Sequence, residues 1–240
     1  MDQNQPEILY HYCPLGSFLK ILTNKTIWLS DIFSMNDYME FRWIENHIFS
    51  KSMKWQKFAF LKAFQSIEKP IFLISFSEKG DVLSQWRAYA NDGAGVSIGF
   101  SKAFLERIEN TGLKLITYGP PSSSIKEEID NFLANGKAKD ALNILIDNAP
   151  LIKNPAFSEE KEWRLLQSSP YSENKVKWRS SRNRLVPYVE LELGNSTNIN
   201  PIDEIILGPK NETPENYIKD FMESIGFSGV TIKKSKASYR

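Results

Sequence analysis

An α+β domain, with roughly seven to nine short strands and helices packed outside them, is the fold class the sequence predicts. Three observations lead there. Short runs of β-branched and aromatic residues, such as Ile8 to Tyr12 and Ile71 to Ser77, end at Pro, Gly or Asn-Asp signals, as strands do. Other segments carry apolar residues at helical spacing, Trp55, Phe58, Leu61 and Ala63 among them. The 240 residues are 41% apolar and 25% charged, ordinary globular usage at a length that buries one sizeable core without staples. Neither an internal repeat nor a low-complexity tract suggests a solenoid or a disordered chain. One domain over 1–240 is therefore expected.

Element by element, Ile8 to Tyr12 reads as a strand stopped by Pro14 and Gly16, followed by a helix from Leu15 to Thr23 and a strand from Thr26 to Ser30. Asn36-Asp37 marks a loop, and Met39 to Phe64 is helical in spacing until Pro70 closes the region. Ile71 to Ser77 is a strand; Leu83 to Ala90 makes one or two helical turns before Asn91-Asp92-Gly93; Ala94 to Phe100 is a strand with small residues where backbone comes close. Ser101 caps a short helix, and Lys114 to Tyr118 reads as a strand. Ser124 with Glu127 three residues on has the pattern of a capping box, opening a helix to about Leu133, and a second helix covers Lys139 to Asn148. That hairpin, at about 122–150, is an insertion or a helical face. Glu160 to Gln167, Pro187 to Glu192, Glu204 to Leu207 and Val230 to Lys233 return to strand character, and Pro214 sits in the first turn of a late helix.

Composition excludes several functions. With 30 Lys+Arg against 29 Asp+Glu, a strongly basic nucleic-acid binder is not expected. The lone Cys13 forms no internal disulfide, and the opening Met-Asp-Gln-Asn-Gln-Pro lacks the basic and apolar regions of a secretion signal, so a cytoplasmic protein is expected. Apolar runs such as Ile71 to Ile74 fall far short of the roughly 20 residues of a membrane span, so no membrane partner is expected. Two His and one Cys at these spacings match no zinc motif, and no metal is expected. No Gly-x-Ser-x-Gly elbow, Walker loop or Gly-x-Gly-x-x-Gly is present.

Strand alternation groups the side chains that remain. Leu9 and His11 share one face, Tyr10 and Tyr12 the other. Ser75 and Ser77 project together as a Ser-x-Ser pair. In Glu160-Lys161-Glu162-Trp163-Arg164, two carboxylates and a guanidinium line one wall. Each has a plain reading: an exposed Glu-x-Glu strand face, a satisfied histidine, and core or surface roles for Trp86, Arg87 and Tyr89.

Their joint order is more specific. Tyr10-His11-Tyr12, Asn36-Asp37, Trp86-Arg87-Ala88-Tyr89-Ala90, Gly95 to Phe100 and Glu160 to Arg164 follow one another, with Ile206-Leu207-Gly208 and Ser235 to Arg240 after them. In these segments the chain resembles, over nearly its whole length, a bacterial family catalogued as domain-of-unknown-function family twenty-nine seventy-one. That family in turn looks like the ADP-ribosyltransferase superfamily, which places a His or Arg on the first strand, a Tyr or Ser on a later strand and a Glu near the end. The resemblance implies a split, mixed or antiparallel sheet surrounded by helices. It also implies an NAD-dependent ADP-ribosyltransferase that cleaves the nicotinamide–ribose bond and passes ADP-ribose to a protein or nucleic acid. His11 stands in the first position, Ser75 and Ser77 in the second, and Glu160 and Glu162 in the third, a mixture of two branches that leaves the acceptor open.

The chemistry matches the residue types. Breaking the glycosidic bond of NAD develops an oxocarbenium-like sugar. A carboxylate beside it stabilises that charge, and the expected carrier is Glu162, with Glu160 orienting or deprotonating the acceptor. His11 is expected on the adenosine-side ribose, Tyr12 or Tyr89 against nicotinamide near Trp86, and Arg87 on the diphosphate. By analogy the family setting implies a toxin or phage-defence effector with an antitoxin or immunity partner.

Other readings stand beside it: an NAD glycohydrolase, a non-catalytic module that binds NAD, ADP-ribose or a partner, and a metal-dependent nuclease using Glu159-x-Lys161. Lys175, Lys177, Arg179, Arg182 and Arg184 crowd a stretch without acids that is either a solvated loop or, with Trp178 stacking on a base, a contact for a nucleic-acid acceptor.

Overall fold

A computed structural model of the chain describes residues 5–32, 47, 70–170, 172–181, 183–194 and 199–238. The helix expected over Met39 to Phe64 (apart from position 47), the Asn36-Asp37 loop, Arg182, Tyr239 and Arg240 lie outside those residues.

The fold is α+β, and its sheet is mixed but largely antiparallel. Strand β1 (Ile8–Cys13) leads through α1 (Leu15–Asn24) into β2 (Thr26–Asp31). After them come β3 (Ile71–Ser77), α2 (Leu83–Tyr89), β4 (Val96–Ser101) and α3 (Lys102–Leu105). Strands β5 (Gly112–Leu115) and β6 (Thr117–Tyr118) precede the hairpin α4 (Ser123–Ala134) and α5 (Ala138–Asn148). The rest is β7 (Ile152–Lys153), β8 (Glu162–Ser168), β9 (Val176–Ser181), β10 (Arg184–Glu192), β11 (Ile202–Leu207), α6 (Glu215–Ser224) and β12 (Thr231–Lys234). Among the described residues ten strands form one sheet in the order β12-β11-β4-β1-β3-β2-β10-β9, with β8 and then β5 on the other edge of β3. Only β11 and β12 run parallel in it; β6 and β7 form a separate parallel pair.

The pairing of β3 positions the site. One edge of β3 pairs along its whole length with β8, from Ile71↔Ser168 to Ser77↔Glu162. The other edge is divided. Tyr10 of β1 takes Ser77 at one end, while Ser30 and Asp31 of β2 take Leu73 and Phe72 at the other. Ile74 to Phe76 have no strand partner on that edge among the described residues. Strands β1 and β2 therefore diverge, each held by its own neighbour, β4 and β10. The sheet opens between them.

Alternation decides which face is dry. Phe72, Ile74 and Phe76 of β3, Ile27 and Leu29 of β2, and Trp163 and Leu165 of β8 point into the main core, which Phe18 and Leu22 of α1 and Ile218 and Met222 of α6 complete. On the other face Ile71 packs against the apolar side of the α4–α5 hairpin. Polar residues at the alternate positions of β2, β3 and β8 are left facing the opening.

Several boundaries differ from the sequence expectation for local reasons. Pro155–Glu160 coils as a 3₁₀ segment, the Asn154 side chain accepting from the Ala156 N–H at 2.9 Å, and Lys161 takes a left-handed φ of 43° before β8 starts at Glu162. Ile116 interrupts the strand expected over Lys114 to Tyr118, its N–H donating to the Glu162 carbonyl at 3.0 Å. Ser122, rather than Ser124, caps α4, accepting from the Ile125 N–H at 3.3 Å. The basic run read as a loop contains the edge strand β9. Among the described residues no helix is long and apolar enough to cross a membrane.

One glycine ties these layers together. Gly95 follows the Asn91-Asp92-Gly93 turn, donates to the Ala90 carbonyl at 2.8 Å and accepts from Gly208 N–H at 3.1 Å. A Cβ there would collide with the Cys13 carbonyl oxygen and sit 2.8 Å from that of Ala90, both backbone atoms that cannot swing away. Gly95→Ala is expected to cost about 3 kcal/mol, read as a lower denaturant midpoint by tryptophan fluorescence. An unchanged midpoint would show that the turn relaxes freely.

Candidate functional site

The opening between β1 and β2 is a cleft of about 360 Å³, at the small end of the roughly 300–1,000 Å³ typical of ligand pockets. Its described walls come from β1, α1, β2, β3, α2, Lys153, the 3₁₀ segment, Glu162 and Arg179. His11, Tyr12, Ser75, Ser77, Tyr89, Glu160 and Glu162 all line it. The cleft thus gathers seven side chains drawn from distant parts of the chain.

His11 faces the uncovered stretch of β3. Its Nδ1 lies 3.0 Å from the Ser75 carbonyl oxygen; since a carbonyl only accepts, Nδ1 carries the proton and donates. Its ring meets Phe76 edge-on at 6.0 Å. Burial pushes the imidazole below its ordinary pKa, partly offset by the bond to Ser75. The ring is therefore neutral at pH 7, with Nε2 left as an acceptor.

Two of the expected residues are occupied by the fold. The Tyr12 hydroxyl donates to the Lys79 carbonyl at 2.8 Å and accepts from the Val82 N–H at 3.0 Å, while its ring packs edge-on against Trp86 at 4.8 Å. Burial raises its phenol well above the usual range. Ser77 donates to the Glu160 carbonyl at 2.6 Å and accepts from the Lys79 N–H at 3.1 Å, pinning the 3₁₀ segment to β3. The buried Ser75 hydroxyl lacks a well-formed hydrogen bond among the described residues, but lies close enough to Glu162 to favour its charge.

The two carboxylates meet through a lysine. Lys153 Nζ, on β7 and 2% exposed, donates to Glu160 Oε2 at 2.7 Å and to Glu162 Oε2 at 2.9 Å. Arg164 Nε donates to Glu162 Oε1 at 2.6 Å, and its Nη1 reaches the Pro150 carbonyl at 3.0 Å. The Glu162 N–H donates to the Tyr118 hydroxyl at 2.7 Å. Burial works against the Glu162 charge, yet Arg164 and Lys153 outweigh it and hold the carboxyl below its ordinary value. Among the described residues, two carboxylates and two cations meet in this buried cluster. Glu160 is its more open member, 11% exposed against 3% for Glu162, with the exposed Tyr89 hydroxyl 3.5 Å from its Oε1.

The structure separates the remaining expected residues from the cleft. Trp86 is fully buried beside it, its indole N–H donating to Asp81 Oδ1 at 2.7 Å. Arg87 is exposed on α2 and is not among the lining residues. Cys13 continues β1 into the core, where burial pushes its thiol up to about 12. In β9 the alternation places Lys177 and Arg179 on one face and Trp178 on the other, so the ring and those two cations do not form a single surface. Lys175 pairs with Glu173 at 3.5 Å and Lys177 with Glu190.

Lys153, Arg179 and Lys20 are charged cleft residues that the sequence did not assign to it. A strand signal in Leu151-Ile152-Lys153 and the β9 alternation were the available clues. Among the described residues no group of three or more His, Cys, Asp or Glu is placed to hold a metal ion.

The model of a family described as "Protein of unknown function (DUF2971)" matches residues 85–165, from within α2 through the carboxylate cluster of Lys153, Glu160, Glu162 and Arg164. The chain thus carries a DUF2971 family domain over those residues. No curated protein and no solved structure matches it.

Proposed function

We propose that the chain is an NAD-dependent ADP-ribosyltransferase acting in this cleft, with NAD as substrate and a protein or nucleic acid as acceptor. The observation that carries this reading is the split beside β3, which brings His11, Ser75, Glu160 and Glu162 to one opening. Neutral His11 accepts from a ribose hydroxyl through Nε2. Glu162, kept ionised by Arg164, faces the sugar as positive charge develops on leaving of nicotinamide. Glu160, the more open carboxylate, receives the acceptor's proton. Tyr89 is the aromatic ring at the mouth.

The test is to incubate the full chain with NAD labelled in its adenylate half and cell extract. Label entering protein or nucleic acid supports transfer; label in free ADP-ribose supports the hydrolytic variant. Unaltered NAD sinks both. His11→Ala is expected to raise KM for NAD about tenfold, the worth of one hydrogen bond, with kcat little changed. A loss confined to kcat would remove His11 from ribose binding.

The charge balance of the cluster favours a second reading. A carboxylate already paired with two cations offers less to a cationic sugar, which suits a module that binds NAD without turning it over. Calorimetric NAD binding without nicotinamide release would decide for this second reading.

A further inference from the structure

We infer that Arg179, with Ser30 and Lys20, forms an anion-binding corner of the cleft that takes a phosphate group of a nucleotide ligand. The charged lining is uneven. Glu160 and Glu162 are matched by Lys153 and Arg164, while Lys20 and Arg179 have no carboxylate opposite them among the described lining residues. What the cleft holds at that end is negatively charged.

Arg179 is set for the task. It rises from β9 on the same face as Tyr188 and Ser30, one and two strands away. Its Nη2 donates to Ser30 Oγ at 3.2 Å, and its guanidinium carbon lies 5.8 Å from the Trp28 ring centroid. Trp28 in turn packs against Tyr188 at 4.4 Å, so the guanidinium rests on a fixed aromatic floor. Its Nε is buried and has no partner among the described residues. A buried N–H without an acceptor is destabilising, and a ligand oxygen relieves it. A guanidinium offers phosphate two parallel donors, which a lysine does not.

The spacing relates this corner to the carboxylates. Ser30 pairs with Leu73, two residues along β3 from Ser75. One strand spacing across and two residues along is on the order of 8 Å at the backbone. Since the Arg179 guanidinium sits on Ser30 and Glu162 lies close to the Ser75 hydroxyl, a separation of that order between the two groups suits one ligand carrying a sugar beside Glu162 and a phosphate at Arg179. The inference deepens the NAD reading, with the diphosphate at Arg179 in place of Arg87, and its test keeps the two apart.

The experiment is calorimetry of the full chain with NAD and, separately, with inorganic pyrophosphate. Arg179→Gln is expected to weaken both by roughly 10- to 100-fold, and Arg179→Lys by less. Lys20→Gln, on the exposed side of α1, is expected to weaken both several-fold and to flatten their salt dependence. Circular dichroism confirms that each variant is folded; if Arg179→Gln is not, Arg179→Lys and Lys20→Gln carry the test. Pyrophosphate binding that depends on Arg179, without NAD binding, keeps the corner and sinks the NAD reading. NAD affinity that ignores Arg179 and Lys20, or falls with Arg87→Gln instead, overturns the corner. Binding of neither probe overturns both.

Discussion

Glu162→Gln is expected to lower the rate of nicotinamide release at saturating NAD by roughly 10²- to 10³-fold, the loss seen when one preorganised electrostatic group is removed from a dry site. The substitution is nearly isosteric, so the cleft keeps its shape and KM should move little. Its electrostatic effect is the loss of one negative charge from a dry site. In the native cluster Glu160 and Glu162 balance Lys153 and Arg164. With Gln at 162 the cluster carries a net positive charge where positive charge must develop on the sugar. Arg164 keeps its bond to the Pro150 carbonyl, which helps the strand stay in place. The measurement is single-turnover release of nicotinamide, with a thermal melt to show that the variant is folded. Native-like turnover by a folded variant removes Glu162 from the chemistry.

Much of the fold was legible because it rests on local pattern. Ile71 to Ser77 is a strand with the bounds its composition suggests, since β-branched and aromatic residues end at Gly80 and Pro70. Alternation also grouped Ser75 with Ser77 on β3 and Glu162 with Arg164 on β8; the pairing of Ser75 with Arg164 and of Ser77 with Glu162 is what puts the two groups on one side. Glu160 reached the same place by another route: it is not on the strand, and Lys153 rather than the pleat aligns it with Glu162.

What stayed hidden depends on pairing between distant segments. Nothing near Lys153 indicates that its ammonium will be 2% exposed between two carboxylates, because a lysine after two apolar residues is ordinarily a strand-edge residue in water. The run from Lys175 to Arg184 looked like a loop because its charges mask a strand whose neighbour, β10, shields only its edge. Whether a cation there faces solvent or the cleft is a matter of one residue of register. Arg87 and Arg179 illustrate the point: both are arginines next to an aromatic residue, and only the sheet order says that the second enters the cleft.

Lys153→Met should be the most destabilising single change in the cleft, costing about 3–5 kcal/mol as a denaturant midpoint shift, the range for breaking a buried ion pair by removing one partner. The lysine bridges Glu160 and Glu162, both buried, and methionine fills its stem without its charge. Two carboxylates then face each other without the ammonium that bridged them, and like charges at that distance cannot both stay ionised cheaply. The pH dependence should therefore change sign. In the native protein the Glu162 carboxyl lies below its ordinary value of 4.5, so it contributes stability at neutral pH that is lost as pH falls through its folded value. In Lys153→Met at least one carboxyl is raised above that ordinary value, so the variant regains stability as pH falls from 7 toward 5 and a proton is taken up. The gap between native protein and variant is widest at pH 7 and narrows on acidification. Adding Glu160→Gln to Lys153→Met removes the repulsion and should recover more than half of the loss. A cost below about 1 kcal/mol, with parallel pH curves for the two proteins, would mean that water already screens the cluster and that Lys153 does not hold the carboxylates in place.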